Sequence, residues 1–306
     1  LSGSTLYAGG DFTSIGGEAR VRVAALNAAN GKANDWNPNA NGTVYALVVS
    51  GSAVYAGGAF TNIGGQKRNR IAVIDTTTGS AAGWNPGAND TVYALAISGS
   101  TIYASGRFTS ISGENRNYIA ALDATTGDAT TWNPDANNQV YALAVSDSTV
   151  YVGGLFGNIG GQPRNRIAAL HAATGNATDW APNADGLVSA LWVSGSTVYA
   201  GGQFRNIGGQ MRKRIAALDA TTGVPTDWNP GADWHVETVV VSGSTVYAGG
   251  GFSSIGGEDR NYIAALDAAT GAATAWNPNA DGVVHTLALS ESLLYAGGGF
   301  SNIGGK

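Results

Sequence analysis

The chain has 306 residues, of which 43% are hydrophobic and only 12% charged, and its net charge is −5 without a run of like charges. The sequence contains no apolar run of the roughly 18 residues that a membrane span needs, and it has no cluster of positive charge to bind nucleic acid. The absence of cysteine excludes disulfides and thiolate metal sites.

A repeat of 48 residues runs through the chain without an insertion. A Tyr at the start of a Tyr-x-Gly-Gly motif marks each copy, and a Phe follows it after four intervening residues. The marker residues are Tyr7, Tyr55, Tyr103, Tyr151, Tyr199, Tyr247 and Tyr295. Self-similarity at this period indicates that one supersecondary unit solves the same packing problem in every copy.

Each unit is predicted to contain four short strands, because apolar and β-branched runs alternate with Gly, Asn and Pro turn signals. The predicted bounds in one unit are strand A at Val92–Ile97, strand B at Thr101–Phe108, strand C at Ile119–Asp123 and strand D at Asp128–Trp132. A tight Ser-Gly-Ser turn joins A to B, and a longer loop joins B to C. Four strands at a period of 40–50 residues are typical of a propeller blade.

The predicted fold is therefore an all-β, six-bladed β-propeller that forms a single domain over residues 1–306. The chain reads B-C-D, then five complete A-B-C-D sets, then A-B. Closure of the ring is expected to combine strand A at 284–289 with the N-terminal C and D strands, which removes an exposed edge. This count leaves one surplus B strand, either Thr5–Phe12 or Leu293–Phe300.

Two bulky side chains recur once per copy, and each has two interpretations. The Trp ladder is either inter-blade core, which we favour, or a set of sugar-stacking platforms. The Arg before strand C either clamps loop carbonyls or the Asp that ends strand C, which we favour, or binds a carboxylate or phosphate ligand. These residues are Trp36, Trp84, Trp132, Trp180, Trp228 and Trp276, and Arg20, Arg68, Arg116, Arg164, Arg212 and Arg260.

Two further recurring features are interpreted as structural. The Gly pair at the end of strand B is predicted to allow a bend or bulge where blades crowd together, rather than the approach of a ligand. The Asn- and Asp-rich loops before strand A, such as Asn183–Asp185, lack the dense alternating acidic ligands of a calcium loop. Turn chemistry explains these loops, and no metal or cofactor is predicted.

The layout resembles kelch-type propellers, in which a strand ends in Gly-Gly, a later strand ends in Asp, and Thr-Gly and Trp follow. Here those residues include Gly57, Gly58, Asp75, Gly79 and Trp84. It is still more similar to bacterial exported propeller repeats with Tyr-x-Gly-Gly-x-Phe and Ile-Ala-Ala-Leu-Asp motifs. The resemblance implies an extracellular or cell-surface protein that binds, adheres or scaffolds, and it implies no defined chemistry.

The departures from the repeat indicate where a specific site would lie. Positions occupied by Tyr in earlier copies become Glu237 and His285, Trp192 replaces a smaller residue, and Trp234 and His235 replace small or polar loop residues. These five residues are predicted to bind a ligand, either a carbohydrate or a protein, on the face that carries the longer loops. Drift between duplicated copies also explains the departures.

Three functions follow from these observations. We expect a non-catalytic binding or adhesion module. The alternatives are a structural unit that associates with neighbouring copies of itself in a surface array, and an enzyme such as a lyase or hydrolase. The enzyme alternative requires His235, Glu237 and His285 to lie within hydrogen-bond reach of one another.

Overall fold

A computed structural model describes residues 1–290 and 293–306, in which the regular elements are β-strands. Strand A spans Val44–Ser50, Val92–Ser98, Val140–Ser146, Val188–Ser194, Val236–Ser242 and Val284–Ser290. Strand B spans Thr5–Gly9, Ala53–Gly58, Thr101–Gly106, Thr149–Gly154, Thr197–Gly202, Thr245–Gly250 and Leu293–Gly298. Strand C spans Val23–Asn27, Ile71–Asp75, Ile119–Asp123, Ile167–His171, Ile215–Asp219 and Ile263–Asp267. No helix long and apolar enough to cross a membrane occurs in these two ranges.

Strands A, B and C of a copy form an antiparallel sheet with B in the centre. Strand B at Thr5–Gly9 pairs with the first strand C, and strand B at Leu293–Gly298 pairs with the last strand A. Each of these two terminal B strands therefore has a partner within its own hairpin, and the expectation that one of them is surplus in a closed ring stays a prediction. The chain divides into two compact units, residues 1–140 with 173–175 and residues 141–172 with 176–306.

Two elements differ from the prediction. Strand D is reduced to a single β-bridge onto strand C, such as Leu122 with Ala129, because the following turn and Pro134 end the ladder at once. The long B–C loop carries a small hairpin of its own, closed at a positive-φ Gly. The hairpin strands are Ser14–Ile15 with Glu18–Ala19, Asn62–Ile63 with Gln66–Lys67, Ser110–Ile111 with Glu114–Asn115, Asn158–Ile159 with Gln162–Pro163, Asn206–Ile207 with Gln210–Met211, and Ser254–Ile255 with Glu258–Asp259.

The Gly pair that ends strand B is a packing requirement, as the sequence predicts. A Cβ on Gly57 would lie 2.7 Å from Cγ1 of Val92, which opens strand A of the next copy. A Cβ on Gly58 would lie 2.2 Å from the carbonyl oxygen of Thr43, just before strand A of the same sheet. At Gly57 and Gly58, backbone and side chain thus approach too closely to leave room for a Cβ.

A β-bulge lies beside this Gly pair, at the second residue of strand A. The register between strands A and B shifts there, as between Val44 and Ala46 or between Val236 and Thr238. A bulge leaves its extra residue out of the ladder and re-aims its side chain. The bulged residues are Tyr45, Tyr93, Ser189, Glu237 and His285.

The core of each unit lies between successive sheets. One cluster joins Ala190, Tyr199, Trp228, Val236 and Phe252, all buried. The indole Nε1 of Trp228 donates to the carbonyl of Asp267, one copy further along, and the same bond recurs at Trp36, Trp84 and Trp180. Five members of the Trp ladder are at most 7% exposed, so they are core, whereas Trp276 is 40% exposed.

The Arg ladder clamps the B–C hairpin to the segment after strand C. In Arg68, Nη1 donates to the carbonyl of Lys67 and Nη2 to that of Ala82, at 2.8 and 2.6 Å. The same pair of carbonyl contacts occurs at Arg20, Arg116, Arg164, Arg212 and Arg260. These donors are committed to the fold, which leaves little for a ligand.

The Asp that ends strand C does not pair with the Arg of the ladder but accepts hydrogen bonds from the turn that follows it. The carboxylate of Asp219 accepts from the backbone N–H groups of Thr221 and Thr222 and from the Thr222 hydroxyl. The hydrogen bonds from Thr222 hold the pKa of Asp219 below its ordinary value. This contribution to stability is therefore present above the ordinary pKa of an Asp and is lost as the pH falls through the lowered value.

Ser105 offers a test of the glycine requirement, because it replaces the first Gly of the pair. Its side chain is fully buried, and its hydroxyl has no hydrogen-bond partner among the described residues. We predict that Ser105→Gly leaves stability unchanged or raises it by about 1 kcal/mol, since a buried unsatisfied hydroxyl costs about 1–3 kcal/mol. Gly57→Ser is predicted to destabilise by about 1–3 kcal/mol through overpacking.

Urea unfolding midpoints of the two variants and of Gly57→Ala measure these effects. Gly57→Ala separates the steric cost of the Cβ from the cost of the hydroxyl. A marked loss of stability in Ser105→Gly would contradict the prediction.

Candidate functional site

Glu237 and His285 come together because they occupy the same bulged position in two successive A strands. These strands lie side by side: the N–H of Leu287 donates to the Thr238 hydroxyl at 3.3 Å. The bulge turns Glu237 and His285 away from the hydrogen-bond ladder. His235 lies in the loop directly before the first of these strands.

The carboxylate of Glu237 joins the two imidazoles. Its Oε1 lies 2.9 Å from Nε2 of His235, and its Oε2 lies 2.5 Å from Nδ1 of His285. The side chain of His285 is 58% exposed, and those of His235 and Glu237 are partly buried. The three residues that the enzyme alternative requires therefore do lie within hydrogen-bond reach. We call them the His–Glu–His network.

The network determines which imidazole nitrogens carry protons. An ionised carboxylate only accepts hydrogen bonds, so each contacting nitrogen must be a donor. This places the proton on Nε2 of His235 and on Nδ1 of His285. Within residues 1–290 and 293–306, no group of three or more His, Cys, Asp or Glu side chains is arranged to hold a metal ion.

Trp234 projects beside the network and is 58% exposed. The centroids of the Trp234 and His235 rings lie 6.0 Å apart. The guanidinium carbon of Arg214 lies 5.8 Å from the centroid of the Trp234 ring, which is a cation–π geometry. Gly251 makes room for both rings, because a Cβ there would lie 2.5 Å from Cε1 of His235 and 2.8 Å from Cδ1 of Trp234. The ring is thus held from several sides and still faces solvent.

Trp192 does not belong to this group. Its ring is partly buried and packs against two core clusters, one that includes Val239 and Val246 and one that includes Val240 and Leu287. It pairs across the sheet with Tyr199. Trp192 therefore fills space between sheets and lies apart from the His–Glu–His network, and its assignment to a ligand site stays a prediction.

Arg214 is the site residue that sequence reasoning missed. It belongs to a second recurring position, directly before strand C, which holds Arg22, Arg70, Tyr118, Arg166, Arg214 and Tyr262, all with φ near 65°. Nη1 of Arg214 donates to the carbonyl of Ala232 at 2.8 Å, and this fixes the guanidinium near Trp234. The alternation of Arg and Tyr at this position was the available signal.

The Asn- and Asp-rich loops have a structural task. The carboxylate of Asp233 accepts from the backbone N–H groups of Ser253 and Ser254, and Asp185 and Asp281 make the equivalent bonds. These bonds tie each loop to the B–C hairpin. The oxygens considered as calcium ligands are therefore used to cap the neighbouring loop.

A separate cavity of about 710 Å³ lies near the C-terminal end. Asn261, Tyr262, Pro278 and Asp281 are among its lining residues, and none of the five predicted ligand-binding residues lines it. The exposed Trp234 therefore does not line this cavity.

Comparisons with known proteins agree on the fold. The family model described as outer membrane protein assembly factor BamB matches residues 2–177 and 109–299. A structure of the mitotic checkpoint complex contains a chain of 16% identity, with a TM-score of 0.69 over 96% of this chain and 87% of that one. The computationally designed Ika8 protein has 17% identity and a TM-score of 0.63 over 97% and 79%. No curated protein sequence matches.

The His–Glu–His network leads to a spectroscopic prediction. In the neutral imidazoles, long-range ¹H–¹⁵N spectra should report His235 protonated at Nε2 and His285 at Nδ1. Glu237→Gln should return His285 to a proton on Nε2, because the single amide oxygen of glutamine no longer accepts from both rings. His171, outside the network, serves as the internal control. A His285 tautomer that is the same in both proteins would show that Glu237 does not set it.

Proposed function

The chain belongs to the β-propeller repeat family described as outer membrane protein assembly factor BamB, and we propose that it is a non-catalytic scaffold that binds a protein partner. The observation that carries this proposal is the exposed ring of Trp234, held in place by Arg214 and His235 on the loop surface. Trp and Arg are the residues most enriched at interface hot spots.

A protein partner fits these observations better than a carbohydrate. The family description names an assembly factor, which implies contact with other proteins. Five of the six Trp residues that recur once per copy are buried, so they cannot serve as a row of sugar platforms. A sugar stacked on Trp234 remains a distinct outcome of the experiment below.

We place the protein outside the cytoplasm, at the cell surface or secreted, as part of the same proposal. The outer-membrane term in the family description and the similarity to exported bacterial repeats support this. Adhesion is one use of such a scaffold. The kelch-like character of the repeat remains a prediction from its motifs.

Catalysis is the second candidate, and the His–Glu–His network is the observation that favours it. Two imidazoles oriented by one carboxylate are a plausible acid–base arrangement. Against this, the predicted site residues do not line the 710 Å³ cavity, and a reacting group needs enclosure from water. Turnover of a polysaccharide or peptide substrate that disappears in Glu237→Gln would replace the binding proposal with an enzymatic one.

We also propose that the repeats close into a ring of six blades. The repeat count supports it, as do terminal sheets that hold only two strands each. The absence of cysteine permits clean labelling. Spin labels at Lys32→Cys and Ala272→Cys, equivalent positions in the first and last copies, should show the same distance as labels at Lys32→Cys and Ser80→Cys in adjacent copies. A much longer distance would indicate an open array.

Trp234→Ala tests the binding function. We predict that cross-linking capture from a cell-envelope extract, followed by binding measurements with the purified partner, shows a loss of about tenfold or more, since hot-spot truncation costs about 2 kcal/mol or more. Tyr45→Ala is the matched control, because Tyr45 is also an exposed aromatic residue. Equal losses in both variants, or binding seen only on a glycan array, would refute the protein-binding proposal.

A further inference from the structure

The most basic loop of the chain lies directly beside Trp234. Residues 203–214 contain four of the 16 Lys and Arg residues and no Asp or Glu, although the chain as a whole has a net charge of −5. The four cations are Arg205, Arg212, Lys213 and Arg214. The equivalent loop at 59–70 has three, and the other B–C loops have acidic residues or fewer cations. We call residues 203–214 the basic loop.

Backbone hydrogen bonds connect the basic loop to the segment that carries Trp234. The N–H of Arg212 donates to the carbonyl of Arg205 at 2.9 Å, which brings the two ends of the loop together. The N–H of Ala232 donates to the carbonyl of Lys213 at 3.0 Å, and Arg214 reaches the Ala232 carbonyl and the Trp234 ring. The cations and the exposed indole thus form one surface.

The cations of this surface are not neutralised by ion pairs. Among the described residues the Arg–carboxylate pairs join Arg22 with Asp11, Arg107 with Asp90 and Arg116 with Glu114, and none involves the basic loop. Arg205 and Lys213 are exposed, whereas the buried Arg212 contributes charge but spends its donors on carbonyls.

Three acidic residues close to this surface are already engaged. Asp185 caps Arg205 and Asn206, and Asp233 caps Ser253 and Ser254. Glu237 is held between its two His partners. These three carboxylates are therefore not free to turn toward the exposed cations.

Two apolar anchors accompany the charge. Met211 is 65% and Trp234 58% exposed, the highest values among the large hydrophobic residues that the structure describes. Met211 ends the small hairpin of the basic loop, two residues before Lys213. Met and Trp are enriched in the cores of interfaces, where Lys and Glu are depleted. Such exposed side chains are typical of a docking surface for a partner with apolar groups of its own.

We propose that the basic loop and Trp234 bind an acidic peptide segment that carries an apolar or aromatic side chain. The proposal rests on the protein-binding function proposed above and specifies the partner. Asp and Glu side chains of the segment would face Arg205 and Lys213, and its apolar side chain would pack on Trp234. Complementary charge raises the association rate and selects the partner, while the apolar contact supplies affinity.

A peptide is favoured over a nucleic acid by the balance of charge and apolar surface. A phosphate backbone needs a stripe of many cations, and of the cations in the basic loop only Arg205 and Lys213 are exposed, in an acidic chain. The exposed thioether and indole match apolar side chains instead. Nucleic-acid binding is a separate outcome of the test.

The test uses the full chain and an array of short labelled peptides rich in Asp and Glu, each with one Leu, Met or Phe. A matched array carries Asn and Gln at every acidic position, and oligothymidylate serves as the polyanion probe. We expect acidic peptides to bind about tenfold or more tightly than their amide counterparts, with an affinity that falls as salt rises. Lys213→Glu should weaken this binding about tenfold.

Lys67→Glu is the control for Lys213→Glu, since Lys67 is an exposed lysine in the equivalent loop at 59–70. It makes the same change in net charge and should alter affinity less than twofold. Unfolding midpoints in urea confirm that each variant is folded. Equal effects of the two substitutions would reduce the interaction to overall charge and overturn the proposal.

The remaining outcomes distinguish a failure of the acidic-peptide proposal from a failure of the protein-binding function on which it rests. Amide peptides that bind as well as acidic ones, with both lost in Trp234→Ala, would overturn the acidic partner and leave the protein-binding function intact. Oligothymidylate that binds as tightly as the best acidic peptide, or an acidic array with no binder, would also overturn it. Partner capture that Trp234→Ala leaves unchanged would refute the protein-binding function itself.

Discussion

The close approach of the backbone at the Gly pair is the constraint on which the rest of the structure depends. The first Gly lies against the Val that opens strand A of the next copy, and the second lies against a carbonyl at the start of strand A in its own sheet. This approach sets the distance between copies and coincides with the bulge in strand A. The bulged residue of strand A, such as Glu237, therefore lies beside this close contact.

The repeated Trp and Arg residues hold the copies and their loops together through hydrogen bonds to backbone carbonyls. Four of the buried Trp residues donate their single indole N–H to a carbonyl of the next copy, so these large apolar side chains are buried without an unsatisfied donor. Each Arg of the ladder satisfies two carbonyls of irregular loops in the same way. The loops are held firmly, and this gives a surface residue such as Trp234 a defined position.

Glu237 and His285 of the candidate site occupy bulged positions, at which the packing between strands does not fix the residue type. The bulged residue is free to vary, because its side chain leaves the ladder, and the chain places Tyr45 and Tyr93 there in one unit and Glu237 and His285 in the other. Gly251 lies beside the Trp234 and His235 rings, where a Cβ would be 2.5 Å from Cε1 of His235.

The sequence by itself determined the repeat, the all-β class, strand C and the structural role of the glycines, because period, alternation and turn residues are local properties of the chain. It also singled out Trp234, His235, Glu237 and His285, since a departure from a repeat is visible without coordinates. Tertiary structure decided what the chain pattern does not encode: that Trp192 packs between sheets, that Arg214 reaches Trp234, and that the carboxylate of Glu237 joins the imidazoles of His235 and His285. Those contacts depend on the bulge and on the packing of neighbouring strands, which only the folded chain brings together.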